Sequence, residues 1–264
     1  MCKTINTWSI ITICGAKIRS YINTLYPGSN EKMPWDILDK YFSIKTDSDW
    51  NMLCSAMDLL EDTECAKENY LKFGLSGPTK YNEVGEKYLR LYGILNAIYL
   101  QKDAIISLLK YCDLPNIKKE KEFIENIKIV KFRHIAGSHT LNYKDYSNKN
   151  SSNKNSYLIT RMSLDYGTIS FRSGDKFEEI NLKEALFEYN KLIGEKIFII
   201  VKFLVKSLQD IDIEVYEKEK VFLDHCSNYF NGKVYTIIEE NGIWNVGDIN
   251  FNEVDIEIYE GEKS

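Results

Sequence analysis

The run NEVGEKYLRLYGILNAIYLQKDAIISLLKYC, Asn82 to Cys112, decides the fold class. Leu91, Leu95, Ile98, Ile105, Leu108 and Cys112 recur at helical spacing and so line one side of a long α-helix. Gln101 stands inside that stripe where a leucine is expected. A buried amide needs partners, so Gln101 either ties the helix to its neighbours, the favoured reading, or lines a site. Asp113-Leu114-Pro115 ends the run.

Working back from it, Gly74 and Gly77-Pro78 close a preceding helix from Trp50 to about Phe73, for which Asp47-Ser48-Asp49 offers an N-cap. Leu53, Met57 and Leu60 mark its apolar side, with Cys65 and Leu71 joining less regularly. Pro34 suits a first helical turn, with Trp35–Ser43 continuing in helical style. Residues 1–30 read as a weak helix or mixed segment closing on Pro27-Gly28-Ser29-Asn30.

Working forward, one helix is expected from about Lys118 through Phe123, Ile124, Ile127 and Val130 to Ile135. Asn142 to Ser156 has no apolar period and reads as a loop or linker. The period then becomes two: Tyr157–Leu164, Asp165-Tyr166-Gly167 and Thr168–Phe171 predict a β-hairpin. Asn181 caps a last long helix striped by Leu186, Tyr189, Ile193, Ile197, Ile200, Leu204 and Leu208. Glu214 to about Glu240 reads as a further helix broken near Gly232. Ile249, Phe251, Val254, Ile256 and Ile258 then alternate with acids, as in an edge strand or an interaction tail.

The expected fold is therefore mainly α: a helical bundle with a small β-hairpin inserted before the last long bundle helix. Residues 1–34 form an N-terminal helical extension, 35–228 the bundle with its hairpin at about 157–172, and 229–264 an acidic C-terminal extension. Four prolines in 264 residues agree with long helices, since an interior proline costs about 3 kcal/mol.

A net charge of −5 excludes a chain coated in basic charge for bulk nucleic-acid binding. The charge is unevenly spread: Lys131 to Arg161 holds six bases against Asp145, whereas Glu239 to Ser264 holds eight acids against Lys263. The six cysteines form no CxxC pair and no zinc spacing, so no metal is expected, and reduced thiols in a cytoplasmic protein are. Trp8–Ile18 lacks the flanks of a signal peptide. Leu192–Val205 is interrupted by Glu195, Lys196 and Lys202, short of the roughly 20 residues of a membrane span. No nucleotide-binding glycine loop, GxSxG elbow or Cys–His pairing occurs, and no cofactor is expected.

What remains is Lys131-Phe-Arg133-His134-Ile-Ala-Gly137-Ser-His139, which carries two of the three histidines; the third, His225, reads as an ordinary helix residue. Arginine grips phosphate bidentately, and imidazole exchanges protons near neutral pH. On a continuous α-helix residues six apart point about 120° away from each other, so Arg133 and His139 do not share a face. Either Gly137 ends the helix and turns His139 back, or a two-fold partner completes the site. The bland alternative is a helix end whose basic groups complement the dipole, with Gly137 as its C-cap.

Arg133, a polar residue in His134, and His139 after five intervening positions, at the end of a helix in such a bundle, resemble the motif of HEPN domains (higher eukaryotes and prokaryotes nucleotide-binding). The layout is similar over roughly residues 50–210: a long helix through Leu100–Ala104, the Arg/His helix, a hairpin and a closing helix. The resemblance implies a homodimeric, metal-independent endoribonuclease of the toxin or anti-phage defence type. Its composite site would use Arg133, His139 and His134 from two copies and leave a 2′,3′-cyclic phosphate. The RNA would be tRNA or single-stranded, with an antitoxin or other regulatory partner. Lys131, Lys144 and Lys149 are candidate phosphate contacts, and Tyr143, Tyr146 and Tyr157 are rings available to stack bases. Two rivals stay open: a non-catalytic HEPN-like module binding a partner protein or nucleotide, and a structural α-helical interaction protein.

Overall fold

The computed structural model describes residues 9–26, 32–78, 83–138, 157–165, 167–173, 176–209, 213–230, 235–240 and 243–248. Among them the chain is mainly helical. The elements run α1 (Ile10–Leu25), α2 (Pro34–Leu38), α3 (Asp47–Phe73), α4 (Val84–Tyr111), α5 (Ile117–Glu125), α6 (Lys128–Arg133), a π turn (His134–Ser138) and β1 (Tyr157–Ile159). A 3₁₀ turn (Arg161–Asp165), β2 (Thr168–Ser173), β3 (Lys176–Asn181), α7 (Leu182–Leu208), α8 (Ile213–Phe230), β4 (Tyr235–Glu240) and β5 (Ile243–Asp248) follow. No described helix is long and apolar enough to cross a membrane. The linker reading of 142–156 and the alternating segment from Ile249 onward lie outside the described residues.

The two strongest stripes form the centre. All seven stripe residues of α7 are fully buried, as are Leu91, Ile98 and Ile105 of α4. Asn181 caps α7 by accepting from the Glu184 amide at 3.2 Å. The cap of α3 is Thr46, one residue before the expected cluster. Its hydroxyl accepts from the Asp49 amide while Asp49 accepts from the Thr46 amide, a reciprocal capping box. Gly74, with φ at 61°, ends α3 in a conformation that a side chain would resist.

The apolar side of α3 does not pass through Cys65, which is exposed. It keeps its phase from Leu53, Met57 and Leu60 onto Glu64 and Lys67, both buried. The Lys67 ammonium contacts the Glu64 carboxylate and donates to Gln101 Oε1 at 2.8 Å and to Asn190 Oδ1 at 2.7 Å. Three N–H groups thus meet three acceptors, on α3, α4 and α7. Gln101 Nε2 donates to Glu64 Oε1 at 2.6 Å and Thr63 Oγ1 at 3.0 Å, and the Ser9 hydroxyl donates to the other Glu64 oxygen. Gln101 is therefore a tie between helices. Burial lowers the Lys67 pKa, against the opposing pull of Glu64.

Helix α1 lies in that same core. Ile11, Cys14 and Ile18 are fully buried, and α1 packs on α7 and α3. A Cβ on Gly194 of α7 would stand 2.9 Å from Ile10 Cγ2, so α1 and α7 approach closely there. The expected N-terminal extension thus contributes residues to the same core as the bundle.

Three further differences from the sequence reading have local causes. The expected helix from 118 to 135 is broken: the Asn126 side chain donates to the Glu122 carbonyl at 2.7 Å, Ile127 is extended with ψ at 135°, and α6 starts afresh. The expected hairpin is a three-stranded antiparallel sheet in the order β1-β2-β3. The hydroxyl of Ser163 turns back onto the Thr160 carbonyl and shortens β1, while Lys176–Asn181, masked in sequence by Glu178 and Glu179, supplies the third strand. The helix expected from Glu214, with its break near Gly232, ends at Phe230; the stretch up to Glu240 is strand β4, paired with β5 with Tyr235 opposite Asp248. Asn241-Gly242 between them is a favoured pair for a two-residue hairpin loop.

Breaking a buried ion pair from one side leaves the other charge uncompensated. Lys67→Met is expected to lower the unfolding free energy by about 3–5 kcal/mol. Combining it with Glu64→Leu should recover part of that loss, so the two changes are non-additive when urea unfolding is followed by circular dichroism.

Candidate functional site

Tyr99 and Lys102 stand one turn apart on α4, on the same face of the helix. Lys102 is buried, at 2% exposure, and its ammonium lies 4.1 Å from the centre of the Tyr99 ring. It pairs with Glu125 Oε1 of α5 at 2.7 Å and with Asp103 Oδ1 at 3.1 Å. The Arg133 guanidinium, at the end of α6, sits 3.7 Å from the centre of the Tyr99 ring, as a cation on an aromatic face. His134 meets the same ring edge-on at 5.9 Å, and its Nε2 lies 3.1 Å from Glu125 Oε2.

The break between α5 and α6 makes this arrangement possible. On one continuous helix Glu125 and His134, nine residues apart, would be separated by about 13.5 Å along the axis. With Ile127 extended, the chain folds back and the two groups form an ion pair when the imidazole is protonated. Burial acts to raise the Glu125 pKa, but the Lys102 ammonium and His134 outweigh it and hold the carboxyl below its ordinary value. Glu125 is therefore an acceptor at neutral pH, with one oxygen for each partner.

Beyond Arg133 the chain continues as a π turn, His134–Ser138, whose hydrogen bonds span five residues. Gly137 lies inside that turn and is not among the glycines with positive φ, so it is not a left-handed C-cap. The 120° arithmetic of a continuous α-helix accordingly stops at Arg133. Ile135 and Ala136 stay buried, which anchors the turn while Arg133 and His134 remain half-exposed. The inner face of the sheet supports this end of the bundle: Phe171 packs on Phe132 at 5.2 Å and on Tyr157 at 6.0 Å.

Of the residues singled out in sequence, Arg133 and His134 are brought together with groups that orient them, and Lys131 is exposed on α6. His139, Lys144 and Lys149, with Tyr143 and Tyr146, lie outside the described residues. Tyr157 is buried against Phe171 and is not presented for base stacking. Tyr99, Lys102 and Glu125 carry no signal in sequence, because each acts across elements that only the fold brings together. Among the described residues no group of three or more His, Cys, Asp or Glu side chains stands ready to hold a metal ion. A cleft of about 310 Å³ lies apart from this cluster, lined by Tyr70, Gly74, Ser76, Leu164, Asn181 and Lys183 among others.

Compared with known proteins, the chain matches no family model, no curated protein and no solved structure.

The contact between Arg133 and Tyr99 predicts a measurable coupling. In a double-mutant cycle of Tyr99→Leu and Arg133→Met, followed by urea unfolding, the interaction energy should be about 0.5–2 kcal/mol. The Tyr99→Phe change should keep most of it, since the ring and not the hydroxyl faces the cation.

Proposed function

We propose that this chain is a HEPN-like endoribonuclease that cleaves RNA without a metal and acts as a homodimer, of the toxin or anti-phage defence type. One observation carries the reading: an arginine and a histidine, adjacent in sequence, emerge together at the end of a bundle helix and are held by Tyr99 and Glu125. The order of elements around them, with long helices before and a small sheet and closing helix after, supports it.

The chemistry follows from the residue types. Arg133 binds the scissile phosphate and stabilises the charge that builds on its oxygens. His139 takes the proton of the 2′-hydroxyl as the 2′-oxygen bonds to phosphorus. The bond from phosphorus to the 5′-oxygen breaks, its electron pair stays on that oxygen, and a proton completes the 5′-hydroxyl. The other product is a 2′,3′-cyclic phosphate, and no water is consumed. In a two-fold dimer each copy contributes Arg133, His134 and His139 to a shared cleft, with Lys131, Lys144 and Lys149 reaching neighbouring phosphates.

Purified protein incubated with tRNA and with single-stranded RNA in EDTA is expected to cut and to leave cyclic-phosphate ends. Arg133→Ala and His139→Ala should each lower the rate by about 10²–10⁴-fold, the range of a positioned acid–base group. Cleavage that both variants retain would remove the site assignment. No cleavage by a dimer that still binds nucleotide or a partner protein would favour a non-catalytic module.

A further inference from the structure

We propose that Glu125 is the positioning residue of His134, and that it leaves Nδ1 as the nitrogen through which His134 delivers a proton to the departing 5′-oxygen. The second half rests on the ribonuclease reading above; the first half stands on geometry alone.

The argument is one of donors and acceptors. Glu125 has two oxygens, and each is committed: Oε1 to the Lys102 ammonium at 2.7 Å and Oε2 to His134 Nε2 at 3.1 Å. A carboxylate only accepts, so Nε2 must carry its hydrogen whether the imidazole is neutral or charged. The nitrogen that gains and loses a proton is then Nδ1. The carboxylate cannot swing to another partner without stranding Lys102, a buried cation whose remaining contacts are Asp103 and the face of Tyr99. Tyr99 also limits the imidazole from its edge and seats Arg133 beside it. Among the described residues, Glu125 from α5 and Tyr99 from α4 contact His134, Lys102 of α4 pairs with that carboxylate and with Asp103, and Arg133 of α6 lies on the Tyr99 ring. The wall is anchored in the bundle, so the ring is aimed before substrate arrives.

In the cleavage step the pieces balance. His139 accepts the 2′-hydroxyl proton, the bond to the 5′-oxygen breaks, and the proton on His134 Nδ1 completes the 5′-hydroxyl. Solvent returns a proton from His139 to His134, so one turnover leaves the protein unchanged.

Glu125→Gln tests this while keeping shape. An amide has one acceptor for two donors, and the buried ammonium of Lys102 claims it, so its NH₂ faces Nε2. Nitrogen-15 spectra of the imidazoles in the intact protein read the result directly. In the wild type, neutral His134 should carry hydrogen on Nε2 alone; in Glu125→Gln that hydrogen should shift to Nδ1 or be shared. Glu125→Asp should restore the wild-type pattern in part. In the RNA assay, kcat of Glu125→Gln should fall by about 10²-fold with KM little changed, as for a misplaced catalytic group. Thermal unfolding of each variant shows whether the fold is kept.

A wild-type spectrum in which both nitrogens share the hydrogen overturns the positioning claim, whatever the activity. Active enzyme whose kcat is untouched by Glu125→Gln overturns the proton-delivery role. Wild-type protein that cuts no RNA, yet shows Nε2 protonated and fixed by Glu125, sinks the ribonuclease reading and the delivery role while upholding the positioning of His134.

Discussion

The buried pair of Glu64 and Lys67 is the constraint on which the bundle depends. Apolar stripes bring helices together, but leucines and isoleucines accept many mutual rotations. An ammonium taken out of water accepts few. Lys67 is satisfied only when Glu64, Gln101 and Asn190 converge on it, and Glu64 in turn engages Ser9 at the start of α1. Four helices are thereby held in a single mutual arrangement. The contribution is one of specificity more than of net stability, since a buried ion pair gains little over well-packed apolar groups.

A second constraint, local and modest in energy, builds the candidate site. The amide of Asn126 takes the Glu122 carbonyl, Ile127 leaves the helical region, and α5 and α6 become separate pieces. The hydrogen bonds lost at the break are repaid by pairing Glu125 with His134 and by burying Ile124, Ile127 and Ile129. The reactive-looking groups thus lie where two short helices meet, and the π turn that follows continues the departure from regular helix.

How much of this could be read from residues alone depended on whether the pattern was local. The main stripe of α7 was legible, because seven of its buried positions recur every three or four residues; Phe198, Val201 and Val205, also buried, widen the face beyond it. The second half of α3 was not, because the same phase runs onto Glu64 and Lys67, which look like surface residues until a partner 123 positions further along, on α7, is known. Strand β3 hid behind two exposed glutamates, and the hairpin of β4 and β5 was missed although Asn241-Gly242 announces it. At the candidate site, Arg133 and His134 were conspicuous. Their supports were not, since Tyr99 looks like one more aromatic on a helix and Glu125 like one more surface acid.

Gln101 and Lys102 are neighbours on α4, yet one faces the buried ion pair and the other the Arg133–His134 cluster. Successive residues on an α-helix point about 100° apart and rise 1.5 Å. The helix therefore works like a shaft with two keys cut at adjacent positions. If it slipped by one residue so that Lys102 took the place of Gln101, its ammonium would confront Lys67, while the carboxylate of Asp103 would arrive where Glu125 expects a cation. Both locks fail on the same slip, so a chain misregistered at α4 has neither a satisfied core nor an aimed imidazole.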